Sequence, residues 1–125
     1  MHVINLGFDL DRFNEDASIR ASFRREFDLE DDVIAIGIIG RLTLIKNHKF
    51  FIDVAKSVSL LTNKKLKFFI IGDGEERLNL EEYIQSLNLT FSQNDIQPDS
   101  KAFFQFTSWR KDMENVYAGL DIVAL

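Results

Sequence analysis

Arg41 and Lys46 flank a loop in the segment Ile34-Ala-Ile-Gly-Ile-Ile-Gly-Arg-Leu-Thr-Leu-Ile-Lys-Asn-His-Lys-Phe-Phe-Ile-Asp-Val-Ala55, which reads as strand, cationic loop and helix. In an open α/β sheet, ligands bind beyond the carboxyl ends of the strands, where helix N-termini direct unpaired N–H groups and partial positive charge outward. Two formal cations at that place suit a diphosphate, Arg through planar bidentate hydrogen bonds and Lys as a mobile point charge. The competing reading is a pair of solvated surface residues, and position in the fold weighs against it. The segment carries neither G-x-x-x-x-G-K-[ST] nor G-x-G-x-x-G, which disfavours a P-loop ATPase and a nicotinamide dehydrogenase.

Two further loops fall at the same edge of the expected sheet. Gly72-Asp73-Gly74 closes a second apolar run, and its glycines permit a sharp turn or close approach of a ligand, readings of equal weight. Thr107-Ser108-Trp109-Arg110-Lys111-Asp112 closes a third. Trp109 and Arg110 suit packing on a flat base or sugar, while a lone Trp suits somewhat better a loop anchor buried against the next helix. Arg20, Arg24 and Arg25 read as a solvated helix face. His2 and His48 stand far from any carboxylate cluster, so no metal site is expected, and His48 reads as a surface residue of a helix first turn. No catalytic acid, base or nucleophile stands out.

The elements that must position these loops alternate. After an apolar opening, Val3 to Leu6, a loop through Gly7 and Asp9 leads to an amphipathic helix over Ala17–Phe27, with Ile19, Phe23 and Phe27 on one face. Val33–Gly40 lacks polar alternation and reads as a buried parallel strand. Asn47 suits the N-cap of a helix to about Leu61, with Phe51, Val54, Ala55, Val58 and Leu61 inward. A strand over Leu66–Ile71 and a helix from Glu75 to about Leu87 repeat the pattern. Asn88–Ser100, which holds the sole proline, Pro98, reads as a long loop. Phe103–Phe106 is a third strand, a short helix capped by Asp112 follows, and Asp121–Leu125 begins a fourth. This order selects a Rossmann-like α/β fold, a parallel sheet with helices on both faces and right-handed crossovers. The fourth strand has no helix after it to cover it, so the domain reads as cut short there.

The bulk composition agrees. At 125 residues, with 46% hydrophobic and 28% charged residues, the chain has the size and balance of one globular domain. Its 12 Phe point to a core built on rings. A net charge of −5 argues against a generic nucleic-acid binder and gives no support for membrane docking. The absence of cysteine removes disulfide and thiolate chemistry. No stretch approaches the roughly 20 apolar residues needed to span a bilayer, and the expected location is cytoplasmic.

Taken in order, the loops resemble the carboxyl-terminal, nucleotide-sugar-binding domain of two-domain (GT-B) glycosyltransferases, in particular the large retaining group 1 family, family 4. Ile4-Asn-Leu-Gly-Phe-Asp-Leu-Asp-Arg-Phe13 is similar to its "I-x-N-G-V-D-x-x-x-F" segment, with Asn5-Leu6 departing from the usual Pro-Asn pair. Gly40-Arg-Leu-Thr-Leu-Ile-Lys-Asn47 resembles "G-R-L-x-x-x-K-G/N", and Ile71-Gly-Asp-Gly-Glu-Glu-Arg77 resembles "G-D-G-P-E-R", with Glu75 in place of proline. Phe106–Asp112 followed by Tyr117-Ala-Gly-Leu-Asp-Ile-Val123 is similar to "F-x-G-x-x-x-D…Y-x-x-A-D-I". Four blocks in the right order cover nearly the whole chain.

The resemblance implies that residues 1–125 are part of a donor-binding domain, with 1–13 the segment leading in from a preceding one. It implies that Arg41 and Lys46 hold the donor diphosphate, that Trp109 and Arg110 clasp the nucleobase largely through backbone groups, and that Gly40, Gly72 and Gly74 line the cleft. The donor would be a UDP-sugar or GDP-sugar, with no metal or other cofactor. A glycan or lipid acceptor would meet a missing N-terminal domain, so this piece alone would be inactive. The alternatives are a nucleotide-sugar 2-epimerase domain, against which the Gly40–Lys46 loop speaks, and a non-catalytic α/β interaction module.

Overall fold

The computed structural model describes residues 2–3, 17–42, 48–93 and 102–124. Among them run β1 (His2–Val3), α1 (Ala17–Glu26), β2 (Ile34–Ile39), α2 (His48–Leu61), β3 (Leu66–Ile71), α3 (Arg77–Ser86), β4 (Phe91–Gln93), β5 (Phe104–Thr107), α4 (Met113–Gly119) and β6 (Ile122–Ala124). The strands form one parallel sheet in the order β1-β6-β2-β3-β5-β4. The four strands expected from the sequence are all present, and the two short ones at the edges extend the sheet to six.

Both faces of the sheet are covered, and β3 shows why its residues other than Lys67 can be apolar. Phe68 and Ile70 join α2 and α3 through Phe51, Ile52, Ala55, Leu80 and Ile84. Phe69 and Ile71 point the other way, to Phe23 and Phe27 beside α1 and to Val116 and Leu120 beside α4. A strand buried on both faces needs no polar alternation. Rings dominate both layers: Phe23, Phe27 and Phe69 meet at centroid distances of 4.9 to 5.4 Å. On the other face Phe68 lies 5.8 Å from Phe51 and 5.8 Å from Phe104. Such tilted and edge-on pairs favour the ring quadrupoles beyond simple area burial.

Helices α1 and α3 stop in the same way. Asp28 (φ 52°) and Asn88 (φ 61°) take left-handed conformations, and the next residues, Leu29 and Leu89, donate N–H to Arg24 O and Ile84 O at 2.8 and 3.2 Å. That reversal satisfies end carbonyls of each helix and turns the chain toward β2 and β4.

Three expectations are corrected. On α2 the buried side is His48, Phe51, Ile52 and Ala55, whereas Val54 and Leu61 are 42% and 84% exposed. The helix carries two apolar stripes, and only packing against the sheet selects the one through Ile52. His48 is therefore buried, not a surface residue. Within the long loop assigned to Asn88–Ser100 lies β4, whose Phe91, Ser92 and Gln93 pair with Phe104, Gln105 and Phe106. Three residues are too few to display a period, and the Phe91 ring, edge-on to Phe106 at 5.7 Å, supplies the anchor. Residues 94–101, with Pro98, lie outside the described residues, as do the segment 4–16 and the proposed N-cap Asn47.

Candidate functional site

The carboxyl edge of the sheet is a row of loops laced by backbone hydrogen bonds. From the β2 loop, Gly40 N–H donates to Ile71 O at 3.0 Å and Leu42 N–H to Asp73 O at 3.1 Å. In return Glu76 N–H donates to Leu42 O at 3.1 Å, and Gly72 N–H reaches the end of β5 at Thr107 O, 2.9 Å away.

The glycines make this approach possible. Gly72 has φ 134°, and a Cβ there would lie 2.1 Å from Gly40 O; one on Gly74 would lie 2.5 Å from Leu42 O. No side chain fits at either position. Contact between the loops therefore accounts for Gly72 and Gly74, and a φ of 152° for Gly40, which stands with them along this edge. The Asp73 carboxylate accepts the Gly74 N–H at 2.8 Å and tightens the turn further.

Within this frame Leu42 is fully buried while its neighbour Arg41 is exposed. Arg41 makes no ion pair with any other described residue. Its proposed partner Lys46 lies outside the described residues, and the chain resumes at His48, the first residue of α2.

The β5 loop adds a large apolar surface. Trp109 is 57% exposed, which decides against the buried loop anchor. Arg110, named with it, is differently placed. Its guanidinium donates to Glu26 at 2.7 and 2.9 Å and to Asp112 at 2.6 and 2.9 Å. It also lies 5.7 Å from the ring centroids of both Phe23 and Phe27. With 11% of its side chain exposed, its donors are taken up by protein carboxylates. A contact from this loop to a base would rest on Trp109 and on backbone groups.

The electrostatics follow from that cluster. The hydrogen bond to Asp112 is the main reason the Arg110 pKa lies far above its ordinary range, against the opposing effect of burial. The same bond is the main reason the Asp112 carboxyl lies below the usual carboxylate range. Asp112 occupies the N-cap of α4 without a side-chain cap bond; its backbone carbonyl instead accepts from Asn115 and Val116 N–H at 2.9 and 3.2 Å.

Sequence reasoning missed two groups. Arg77, in the first turn of α3, donates to Ser108 Oγ at 3.4 Å and lies 5.4 Å from the Phe106 ring centroid, so it ties α3 to the β5 loop. At the opposite edge, Asp121 accepts from Arg20 at 2.6 Å and from Ala35 N–H at 2.8 Å, with Arg24 at 3.5 Å. Arg24 is only 8% exposed and donates to Glu30 O and Val33 O at 2.6 and 2.8 Å, so the solvated reading holds for Arg25 but fails for Arg24 and for the half-buried Arg20. The available signal was an aspartate standing directly before a buried strand.

Comparison with known proteins places this geometry. Residues 19–125 match the family described as glycosyl transferases, group 1. Over 101 residues the chain is 33% identical to the amylovoran biosynthesis glycosyltransferase AmsD of Erwinia amylovora, covering 76% of this chain and 28% of that protein. Its fold is similar to that of Anabaena Alr3699/HepE in a crystal structure with UDP and glucose: TM-score 0.66, 20% identity, 94% of this chain and 29% of that one. It is similar also to WaaG, a glycosyltransferase involved in lipopolysaccharide biosynthesis: TM-score 0.65, 17% identity, 91% of this chain and 28% of that one. The chain thus spans less than a third of the length of these proteins. It has the Rossmann-like fold of GT-B glycosyltransferases and belongs to the group 1 glycosyl transferase family.

Proposed function

We propose that the carboxyl edge binds the nucleoside diphosphate of a nucleotide-sugar donor, as part of an enzyme that transfers a hexose or related sugar to a glycan or lipid acceptor. The observation that carries this reading is the exposed cation Arg41, held on a loop that the Gly72 and Gly74 turns lock in place, in one row with the exposed indole of Trp109. When the bond between the anomeric carbon and the β-phosphate oxygen breaks, negative charge grows on the leaving diphosphate. A fixed guanidinium at that spot stabilises it, and Lys46 would add a second charge.

The fold neighbour HepE was crystallised with UDP and glucose, which supports a donor of that chemical class. Uridine and guanosine diphosphates are the two nucleotides to compare. Residues 1–125 act in this reading as a donor-binding part of a cytoplasmic enzyme, with the acceptor contacts and turnover supplied by a further domain. No helix among the described residues is long and apolar enough to cross a membrane.

The test is an amide NMR titration of the chain with UDP and with GDP, repeated on Arg41→Ala and Lys46→Ala. Saturable shifts at Arg41, Lys46 and Trp109 that vanish in the two variants support the reading. A dispersed spectrum indifferent to both nucleotides overturns it.

A further inference from the structure

The Glu26–Arg110–Asp112 cluster spends four charge-assisted hydrogen bonds on a loop that carries no core residue. Residues 108–112 connect β5 to α4, and this connection is tied on both sides of Trp109, with the Lys111 side chain exposed. Thr107 O is held by Gly72 N–H, Ser108 Oγ by Arg77, Arg110 by Glu26 and Asp112, and the Asp112 carbonyl by the first turn of α4. In the middle stands a large ring with more than half its surface in water. An exposed indole forgoes the burial that normally makes Trp favourable, while a fixed one presents a flat face on which a base can stack.

We infer that Glu26, through Arg110, is a positioning residue that holds the Trp109 indole as the platform for the base of the bound nucleotide. On this reading the diphosphate lies toward Arg41 and the base toward Trp109. This inference rests on the nucleotide-binding reading above. It adds Glu26, a residue 84 positions away from Arg110 in the chain, on a helix that sequence reasoning linked to the site in no way.

Trp109 is the only tryptophan, so its fluorescence reports this loop alone. UDP and GDP are titrated against the 125-residue chain, and against Glu26→Gln, Asp112→Asn and Arg20→Gln, following Trp109 emission and, without nucleotide, its anisotropy and quenching by acrylamide. Glu26→Gln is expected to weaken nucleotide binding roughly three- to tenfold, the range set by leaving one loop side chain to be ordered on binding. It is also expected to lower Trp109 anisotropy before any nucleotide is added. Asp112→Asn probes the second carboxylate and carries the test alone should the first variant not fold. Arg20→Gln loosens the far end of the α1–α4 contact, where Arg20 donates to Ala118 O at 3.1 Å, and should lower stability without changing affinity or anisotropy. If the wild type binds nucleotide and both carboxylate variants match it in affinity and anisotropy, the positioning role is overturned while the binding reading stands. If Trp109 in the wild type ignores both nucleotides, both claims fall.

Discussion

The two edges of this sheet handle charge in opposite ways. At the amino edge four described cations have protein partners: Arg20 and Arg24 converge on Asp121, Lys65 lies 2.7 Å from Glu30, and buried Lys67 donates to Ala102 O at 2.6 Å. At the carboxyl edge the backbone is laced as tightly, yet Arg41 and Trp109 face solvent. The amino edge uses polar groups to close the fold, since a buried polar group left without a partner is costly. The carboxyl edge uses glycine backbone for closure and leaves side-chain chemistry free for a ligand. In the groove lined by Glu30, Val33, Lys65, Lys67, Ala102 and Phe103, both lysines are already engaged.

The sharpest way to break this comparison is Gly72→Ala. A methyl group 2.1 Å from Gly40 O, on a backbone with φ 134°, forces the β2 and β3 loops apart. Backbone strain and overpacking together should destabilise by about 3 kcal/mol or more. The urea midpoint measures this, and a wild-type midpoint would mean that the lacing does not order the edge.

Asp121→Asn makes the matching test at the amino edge. It keeps shape but removes the charge that Arg20 and Arg24 share, at a cost of about 2 kcal/mol. If the edges are separate in role, nucleotide affinity stays within roughly twofold of wild type once the protein is folded. A large loss of affinity with little loss of stability would reverse the assignment of the two edges.

This division also explains what could be read from the sequence. β3 was legible to the residue, because Leu66–Ile71 is apolar except for Lys67 and lies between a polar turn and a glycine. Gly72 and Gly74 were legible as a turn, but their contact with Gly40 and Leu42 was not, since the loops meet only after the sheet has paired. Arg24 was misread because a guanidinium capping carbonyls and one facing water look alike in one dimension; only the approach of Asp121 from the far end of the chain distinguishes them. The same holds for Arg110, whose partner Glu26 lies on α1. On α2, Val54 and Leu61 were apolar enough to pass for part of the inner face with Phe51 and Ala55, and propensity carries no information about which stripe the sheet accepts.

Arg41→Ala should produce the reverse of the amino-edge variant. Arg41 is exposed and pairs with no other described residue, so stability should stay within about 0.5 kcal/mol of wild type. Loss of a bidentate phosphate contact should weaken nucleoside diphosphate binding roughly tenfold. Isothermal titration alongside a urea curve separates the two effects. A stability loss without an affinity loss would place Arg41 with the structural charges of the other edge.

The smallest expected effect is a pH response confined to the β5 loop. Hydrogen bonding to Arg110 lowers the Asp112 pKa from its ordinary value of 3.8. A carboxyl depressed in the folded state contributes stability that is fully present above its unfolded pKa and is lost as pH falls through the folded one. The window therefore lies below about pH 4, and neutral conditions leave the cluster intact. Protonating Asp112 releases one side of Arg110 while Gly72 N–H still holds Thr107 O, so the loop should loosen before the sheet does. Trp109 anisotropy followed from about pH 5 to about pH 2 should fall ahead of the far-UV circular dichroism signal, and Asp112→Asn should remove that early step. Coincident transitions in the wild type would mean that the loop and the sheet melt as one unit, and that the carboxyl edge owes its order to the core rather than to its own charges.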